Sequence, residues 1–148
     1  MEYSNKFNMT VDALSVNESF VRSAVAAFCL SLNPTLEEVG DVKTAVSEAV
    51  TNCIVHGYKG KGGVISIFAG INQKESKIDI IIEDFGVGIS DVEQAMQTFF
   101  TTCDTGERSG MGFTVMEAFT DDLKVTSKVD NGTVVKMTKY FGKASAQE

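Results

Sequence analysis

The sequence contains little that would divide or anchor the chain. Pro34 is the only proline among 148 residues, and no stretch rich in serine and glycine interrupts the chain. We therefore expect a single domain over residues 1–148. The longest apolar-leaning run without charge, about residues 23–33, is too short for the roughly 20 residues of a membrane span. No basic segment followed by an apolar one opens the chain, so we expect neither a membrane protein nor an exported one.

Cysteine and basic residues are also scarce. The three cysteines, Cys29, Cys53 and Cys103, are far apart and form no C-x-x-C pair. We expect reduced thiols in a cytoplasmic protein, with the first two buried, and no zinc site. Lysine and arginine number 13 against 20 aspartates and glutamates, which gives a net charge of −7. Such a chain is a poor partner for nucleic acid, but it can dock on a basic protein surface.

The hydrophobic pattern predicts a two-layer α+β fold. Two pairs of β-rich segments join at polar turns and are typical of hairpins, which favour a mixed, mainly antiparallel sheet with helices on one face. The expected elements are a strand at 5–11, two helices on either side of Pro34, strands at 64–70 and 77–83, a loosely packed loop at 90–105, a helix at 112–121, and strands at 123–129 and 133–140.

Both long helices are predicted to begin with a capping box. Ser15 with Glu18, and Thr35 with Glu38, match the S/T-x-x-E pattern. Behind the first box, the helical spacing predicts one apolar face, which comprises Phe20, Val21, Ala24, Val25 and Phe28.

Three short segments carry residues suited to nucleotide chemistry. In the first, 47–57, Glu48, Asn52 and His56 recur every four residues and would share one face of a helix. An asparagine amide oxygen is a hard ligand suited to Mg²⁺, and a carboxylate one turn earlier can accept a proton from a hydroxyl. A solvated helix face is the alternative, and His56 fits a helix-end residue better than a metal ligand.

The second segment, Asp84-Phe-Gly86-Val-Gly88, follows a buried β-rich run. A carboxylate at the end of a buried strand can accept a hydrogen bond from an exocyclic amine such as that of adenine. The two glycines allow the backbone to approach a flat ligand closely. An ordinary glycine turn explains this segment equally well when it is taken alone.

The third segment, Arg108-Ser-Gly110-Met111-Gly112, comes at the start of a predicted helix. Free N–H groups and the positive end of the helix dipole make such a start a phosphate site. A lone Gly-x-Gly is a weak signal. Neither a Walker P-loop nor a Rossmann fingerprint is present, which disfavours those phosphate-binding folds.

In combination, these segments resemble the GHKL superfamily of ATP-binding proteins, which includes gyrases, heat-shock chaperones, histidine kinases and mismatch-repair ATPases. Residues 48–57 resemble its N box, 84–88 its first glycine box, 110–112 its second, and 131–133 its closing Gly-Thr element. The resemblance implies the Bergerat ATP-binding fold, with ATP or ADP and Mg²⁺ as ligands.

Three stretches, 17–20, 47–58 and 99–102 running on into 107–113, are similar to the anti-sigma F factor family of spore-forming bacteria. Members of that family are small cytoplasmic serine kinases, usually homodimers. The resemblance implies two protein partners, a sporulation sigma factor that is bound and inhibited, and an anti-anti-sigma protein that is phosphorylated on a serine.

The resemblance also implies roles for individual residues. Glu48 would be the general base, and Asn52 would hold Mg²⁺. Asp84 would read the adenine amine, and Arg108 would meet the γ-phosphate. Further nucleotide contacts would come from Thr133 beside the adenine, Gly86 and Gly88 in the pocket wall, and the N–H groups of Gly110, Met111 and Gly112 against phosphate.

Partner docking and lid closure are implied for two other regions. Glu18 and Arg22 lie four residues apart on the first helix and would form the docking site shared by both partners, although a plain ion pair is the alternative. Residues 97–109 would be the ATP lid, in which Cys103-Asp-Thr-Gly106 departs from the lysine and proline common in the family. Residues 142–148 are expected to fray.

Two other functions remain open on the sequence. One is the ATP-binding half of a histidine kinase, which would need an acceptor histidine on a dimerisation helix, whereas the only histidine, His56, lies in the N-box-like segment. The other is a module that holds nucleotide without turnover. Glu48 argues against that module, since a carboxylate there is suited to a general base.

Overall fold

The computed structural model describes residues 2–88 and 112–142. Its elements follow the predicted order: β1 Asn5–Asp12, α1 Ser15–Phe28, α2 Leu36–Asn52, β2 Val64–Asn72, β3 Lys77–Asp84, α3 Gly112–Ala118, β4 Asp122–Lys128 and β5 Gly132–Tyr140. A 3₁₀ turn, Cys29–Leu32, follows α1, and a π-helical turn, Cys53–Gly57, extends α2. The loop predicted at 90–105 and the lid predicted at 97–109 lie outside the described residues.

Within the described residues, five strands form one sheet in the order β1-β2-β3-β5-β4, and every neighbouring pair is antiparallel. Both predicted hairpins are confirmed, β2 with β3 and β4 with β5. The second turn places Asp130 at φ 66° and Gly132 at φ 88°, a left-handed conformation that these residue types tolerate. The predicted α+β class is therefore confirmed.

The core lies between one face of the sheet and the helices. Helix α2 packs against both α1 and α3. The largest fully buried side chains include Ile65, Ile67, Ile78, Ile80, Ile82, Val21, Val25, Val42 and Val46. Cys29 and Cys53 are buried, as predicted, whereas Phe20 is 55% exposed and lies off the apolar face predicted for it. In the described part of the chain, no helix is both long and apolar enough to cross a bilayer.

The two long helices begin differently. At α2 the capping box forms in full, because the Glu38 N–H donates to Thr35 Oγ1 at 3.1 Å and the Thr35 N–H donates to Glu38 Oε1 at 2.9 Å. At α1 the capping box predicted for Ser15 and Glu18 is wrong, because no side chain caps the first turn. The Glu18 carboxylate is instead held by donors on α1 and α2.

Of the tail predicted to fray, the structure describes only Gly142. Its N–H donates to Glu38 Oε2 at 2.8 Å. The end of β5 is therefore tied to the start of α2 through the same glutamate that completes the capping box.

Candidate nucleotide-binding and catalytic site

Asp84 ends β3 and is 3% exposed on the helix side of the sheet. Its Oδ1 accepts the Gly86 N–H at 2.9 Å, and the Thr133 N–H and the Cys53 thiol also donate to the carboxylate. Burial raises the pKa of Asp84 above its ordinary 3.8, and the three donors oppose that rise because they favour the ionised form. The arrangement is a buried carboxylate whose orientation is set mainly by backbone groups.

Glycines from three separate segments surround Asp84. A Cβ on Gly57 would lie 2.7 Å from the Asp84 carboxylate carbon. A Cβ on Gly86 would overlap the carbonyl oxygen of Gly57, and a Cβ on Gly132 would overlap the carbonyl oxygen of Asp84. Any side chain at these positions would displace the carboxylate or the backbone packed beside it.

Backbone hydrogen bonds hold the glycine turn after β3 in place. The Val87 N–H donates to the Gly57 carbonyl at 2.9 Å, and the Asp130 N–H donates to the Val87 carbonyl at 2.7 Å. Gly88 follows at φ 76°, which favours glycine. The turn is thus held between the π-helical turn and the β4–β5 turn, and Gly86 forms a wall beside the carboxylate.

Sequence reasoning missed Tyr58, which stabilises the same wall. Its hydroxyl donates to the Val64 carbonyl at 2.6 Å and accepts the Phe85 N–H at 2.7 Å. Gly63 lies against the Tyr58 ring, where a Cβ would overlap it. No local signal marks this role, because both bonds join segments that meet only in the folded chain.

Thr133 is placed beside Asp84, as expected from its assigned role. The two residues are directly opposite in the β3–β5 register. Thr133 is 4% exposed, and its hydroxyl lies 2.8 Å from that of Ser127 on β4. Polar groups of three neighbouring strands, β3, β5 and β4, therefore adjoin one another at this point of the sheet.

Glu48 and Asn52 lie one helical turn apart at the C-terminal end of α2, and both are half-buried. The predicted polar face therefore holds for these two residues. It does not extend to His56, because the π-helical turn that begins at Cys53 has more residues per turn than an α-helix. The same turn brings the Cys53 thiol to Asp84, and burial together with that carboxylate raises the pKa of the thiol well above 9.0.

The donor set fits a magnesium ion shared with nucleotide phosphates. Among the described residues, no group of three histidine, cysteine, aspartate or glutamate side chains could form a metal cage. Mg²⁺ usually takes one or two protein oxygens, with waters and substrate phosphates completing its shell. The half-buried amide of Asn52 at the end of α2 suits that mode of binding.

Of the segment predicted to bind phosphate, residues 108–112, the structure describes only Gly112. Gly112 begins α3, as the motif predicts for a helix start, and α3 packs on α2. Arg108, Gly110 and Met111 lie outside the described residues, so the structure places none of the three.

The predicted docking pair forms an ion pair that also involves α2. Arg22 Nη1 lies 2.8 Å from Glu18 Oε2, with side-chain exposures of 39% and 23%. Ser47 joins them, since its hydroxyl donates to Glu18 Oε2 and accepts from Arg22 Nη1 at 3.3 Å. An isolated pair four residues apart contributes only about 0.2–0.5 kcal/mol, so the contact across helices is the more informative feature.

Comparison with known proteins places this chain in a family. Residues 11–139 match the family model of the histidine kinase-like ATPase domain. The anti-sigma F factor of Thermoanaerobacter sp. (strain X514) is 54% identical over 142 residues, which cover 96% of this chain and 98% of that protein. The chain belongs to the anti-sigma F factor family. The anti-sigma F factor of Bacillus licheniformis is 46% identical over 96% of this chain and 97% of its own length.

Two solved structures resemble the fold of this anti-sigma F family member. The RsbU and RsbW domains of Rv1364c from Mycobacterium tuberculosis match with a TM-score of 0.64 at 17% identity, over 93% of this chain and 32% of that one. The histidine kinase domain of the Erythrobacter litoralis EL346 blue-light activated histidine kinase matches with a TM-score of 0.57 at 17% identity. That match covers 89% of this chain and 63% of the other. The chain thus spans about a third of the length of the first structure and under two thirds of the second. At such identities the likeness concerns the fold alone, and it agrees with the predicted two-layer α+β architecture.

Proposed function

We propose that the chain is a cytoplasmic, Mg-ATP-dependent protein serine kinase and anti-sigma factor. It binds and inhibits a sporulation sigma factor, and it phosphorylates a serine of an anti-anti-sigma protein. The observation that carries the proposal is the convergence of the N-box-like helix end on the glycine-walled carboxylate of Asp84, in a chain 54% identical to an anti-sigma F factor.

Adenine recognition is assigned to the buried end of β3. An ionised Asp84 accepts a hydrogen bond from the exocyclic amine of adenine, while Thr133 lies beside it on β5. Close packing at Gly57, Gly86 and Gly132 fixes the backbone segments beside the carboxylate, against which a flat base would lie. A base without that amine would not supply this further hydrogen bond to the buried carboxylate, and the loss favours adenine over other bases.

The transfer step is assigned to the last turn of α2. Glu48 accepts the proton of the substrate serine as the serine oxygen attacks the γ-phosphorus. The bond between that phosphorus and the bridging oxygen of ADP breaks, and ADP leaves with the electron pair. Asn52 lies one turn further along α2 and would hold Mg²⁺, which neutralises phosphate charge when it is bound. The C-terminal end of a helix favours a cation electrostatically.

The phosphates are assigned to the start of α3. The N–H groups of Gly110, Met111 and Gly112 would donate to phosphate oxygens, and Arg108 would meet the charge that develops on the transferred group. Residues 97–109 would close over the nucleotide as a lid and open to release product.

We assign partner docking to Glu18 and Arg22. We expect the active form to be a homodimer, and light scattering measures its mass. Ser47, which contacts both docking residues, directly precedes Glu48 on α2. A partner held on the docking pair therefore lies near the general base, because consecutive helical residues rise only about 1.5 Å.

The direct test is phosphotransfer with purified proteins. The chain is mixed with Mg-ATP and the anti-anti-sigma protein, and phosphoserine is measured by mass spectrometry. Sigma-factor binding is measured in parallel by calorimetry with Mg-ADP or Mg-ATP present. Transfer to one serine together with a stable sigma complex supports the proposal. Nucleotide binding without transfer would leave only a binding module, and phosphohistidine on the chain would favour a histidine kinase.

Glu48→Gln tests the general base. It should keep Mg-ADP affinity and lose transfer by about 10²–10⁴-fold, because loss of general-base assistance typically has that effect. Glu37→Gln is the matched control, since Glu37 is an exposed carboxylate in the first turn of the same helix. Unchanged transfer in Glu48→Gln would remove Glu48 from the catalytic role.

Asn52→Ala tests the metal assignment. The variant should lose affinity for Mg-ADP, and it should match the unsubstituted chain when affinity for ADP is measured in excess EDTA. Equal loss with and without the metal would show that Asn52 acts in some other way.

A further inference from the structure

Ser47 bridges α1 and α2 at the proposed docking pair. Its hydroxyl donates to Glu18 Oε2, and it accepts from Arg22 Nη1 at 3.3 Å. Arg22 Nη1 also donates to Glu18 Oε2 at 2.8 Å. The three side chains therefore form a closed triangle, the Ser47 triangle, with two corners on α1 and one on α2.

The triangle restricts two long side chains that would otherwise move. Glu18 and Arg22 have side-chain exposures of 23% and 39%, so each is reachable from solvent. Exposed ion pairs are usually loose, because holding two flexible side chains in one geometry costs conformational entropy. A serine hydroxyl on a second, packed helix supplies a further contact to both side chains. Groups that are already ordered lose less entropy when a partner binds.

The triangle also defines what kind of partner group suits it. Glu18 Oε2 already accepts from two donors, whereas the bonds that Arg22 makes within the described residues use only Nη1 of a guanidinium that carries five N–H groups. A carboxylate on the partner matches the fork of an arginine that is held in one orientation. The chain has a net charge of −7, so an acidic group would be repelled elsewhere and needs a local, oriented cation.

We propose that Ser47 is a positioning residue that sets the affinity of the docking pair for a protein surface presenting a carboxylate to Arg22. The inference rests on the proposed function for the identity of the partner, and it assigns Ser47 no contact with nucleotide. Ser47 acts on binding of the protein substrate and leaves the chemical step to its neighbour Glu48.

The test measures substrate binding and chemistry separately in three variants. Ser47→Ala removes the hydroxyl, Ser47→Thr retains it, and Thr44→Ala is the matched control. The Thr44 hydroxyl lies on the same helix but donates to the Gly40 carbonyl within that helix, at 2.9 Å. For each variant we would measure KM and kcat of phosphotransfer, the Kd for the anti-anti-sigma protein with Mg-ADP present, and the Kd for Mg-ADP itself.

Ser47→Ala should raise KM and the partner Kd by about 3–10-fold, the usual loss for one net hydrogen bond. Its kcat and its Kd for Mg-ADP should stay within about twofold. Ser47→Thr should restore at least half of the lost affinity on a logarithmic scale, and Thr44→Ala should match the unsubstituted chain. In a background carrying Glu18→Ala and Arg22→Ala, the further change to Ser47→Ala should have little effect, because its targets are gone.

Three outcomes would overturn the inference. They are an unchanged KM and partner Kd in Ser47→Ala, a loss confined to kcat, or a full effect in the background without the docking pair. If the unsubstituted chain binds the partner but transfers no phosphate, the kinase proposal fails while the partner Kd still decides the role of Ser47. Thermal unfolding of each variant shows whether a loss of binding reflects a loss of fold.

Discussion

Strand β3 carries two buried aspartates on opposite faces of the sheet. Asp79 is 1% exposed and Asp84 is 3% exposed, and residues five apart on a strand point to opposite sides. Asp79 accepts the Tyr3 hydroxyl at 2.7 Å and the Thr138 hydroxyl at 2.6 Å. Asp84 accepts a backbone N–H from Gly86 at 2.9 Å, together with the Thr133 N–H and the Cys53 thiol.

The surroundings of the two carboxylates differ more than their burial does. Gly70 lies beside Asp79 in the sheet register, and the Tyr3 ring fills the space where a Cβ on Gly70 would stand. Around Asp84 the corresponding space is filled too, by the carboxylate itself beside Gly57 and by main-chain atoms beside Gly86 and Gly132. The comparison teaches that burial alone does not mark a binding carboxylate. What differs is the source of the donors, since the side chains of Tyr3 and Thr138 hold Asp79, whereas two main-chain N–H groups and the Cys53 thiol hold Asp84.

Exchanging each aspartate for asparagine should give the largest difference between the two sites. Asp84→Asn should weaken Mg-ADP binding by about 10²-fold, because the buried amide presents N–H groups where the adenine amine needs an acceptor. Asp79→Asn should leave that affinity within about threefold and lower the free energy of unfolding by about 1–3 kcal/mol. Calorimetry and urea unfolding measure the two effects. Equal losses of affinity would contradict the division of roles.

The glycine wall can be tested with two alanines. Gly86→Ala should destabilise the fold by about 1–3 kcal/mol, because its Cβ would overlap the backbone of Gly57. Gly40→Ala is the control, since Gly40 lies inside α2 and a Cβ there meets nothing within 4 Å. The control should gain about 0.5–1 kcal/mol, and urea unfolding measures both. A Gly86→Ala variant as stable as the control would show that the wall can yield.

Tyr3→Phe sharpens the structural side of the comparison. It keeps the ring and removes one donor to Asp79, so the free energy of unfolding should fall by about 1 kcal/mol with nucleotide affinity unchanged. Burial and Asp79 raise the pKa of Tyr3 from 10.0 to about 12. A raised pKa means that the folded state favours the protonated phenol. This contribution is therefore complete below pH 10 and is lost as pH rises through about 12.

The stability difference between the unsubstituted chain and Tyr3→Phe should accordingly shrink over that alkaline range. Urea unfolding at a series of pH values measures it. A difference that grows with pH would contradict the assigned hydrogen bond.

The smallest effect near neutral pH concerns the pKa of Asp84. Because adenine donates to the ionised carboxylate, affinity for Mg-ADP should fall as pH falls through a pKa that burial has raised above 3.8. The Cys53 thiol that faces the carboxylate stays protonated throughout, since its pKa is raised well above 9.0. Calorimetry at a series of pH values, with Asp84→Asn as the control for protonation of adenine itself, measures the slope. Identical slopes would contradict the assignment.

Features that depend on neighbouring residues were predictable from the sequence. The capping box of Thr35 and Glu38 and the turn at 130–132 form as predicted, because each is a contact between residues two or three apart. The box at Ser15 fails for the opposite reason. The Glu18 carboxylate can accept hydrogen bonds either from the backbone of its own first turn or from the side chains of Arg22 and Ser47, and Ser47 belongs to α2. A local pattern cannot decide between them.

The sequence by itself determined the order of the elements and the hairpins, because hydrophobic periodicity and turn chemistry act over a few residues. Only the tertiary structure decided that Gly57, Gly86 and Gly132 meet around Asp84 and that Ser47 contacts both Glu18 and Arg22. The π-helical turn also rotates Cys53 toward Asp84 in a way that α-helical spacing does not predict. These contacts join residues far apart in the chain, and the packing of α2 on the sheet and on α1 brings them together.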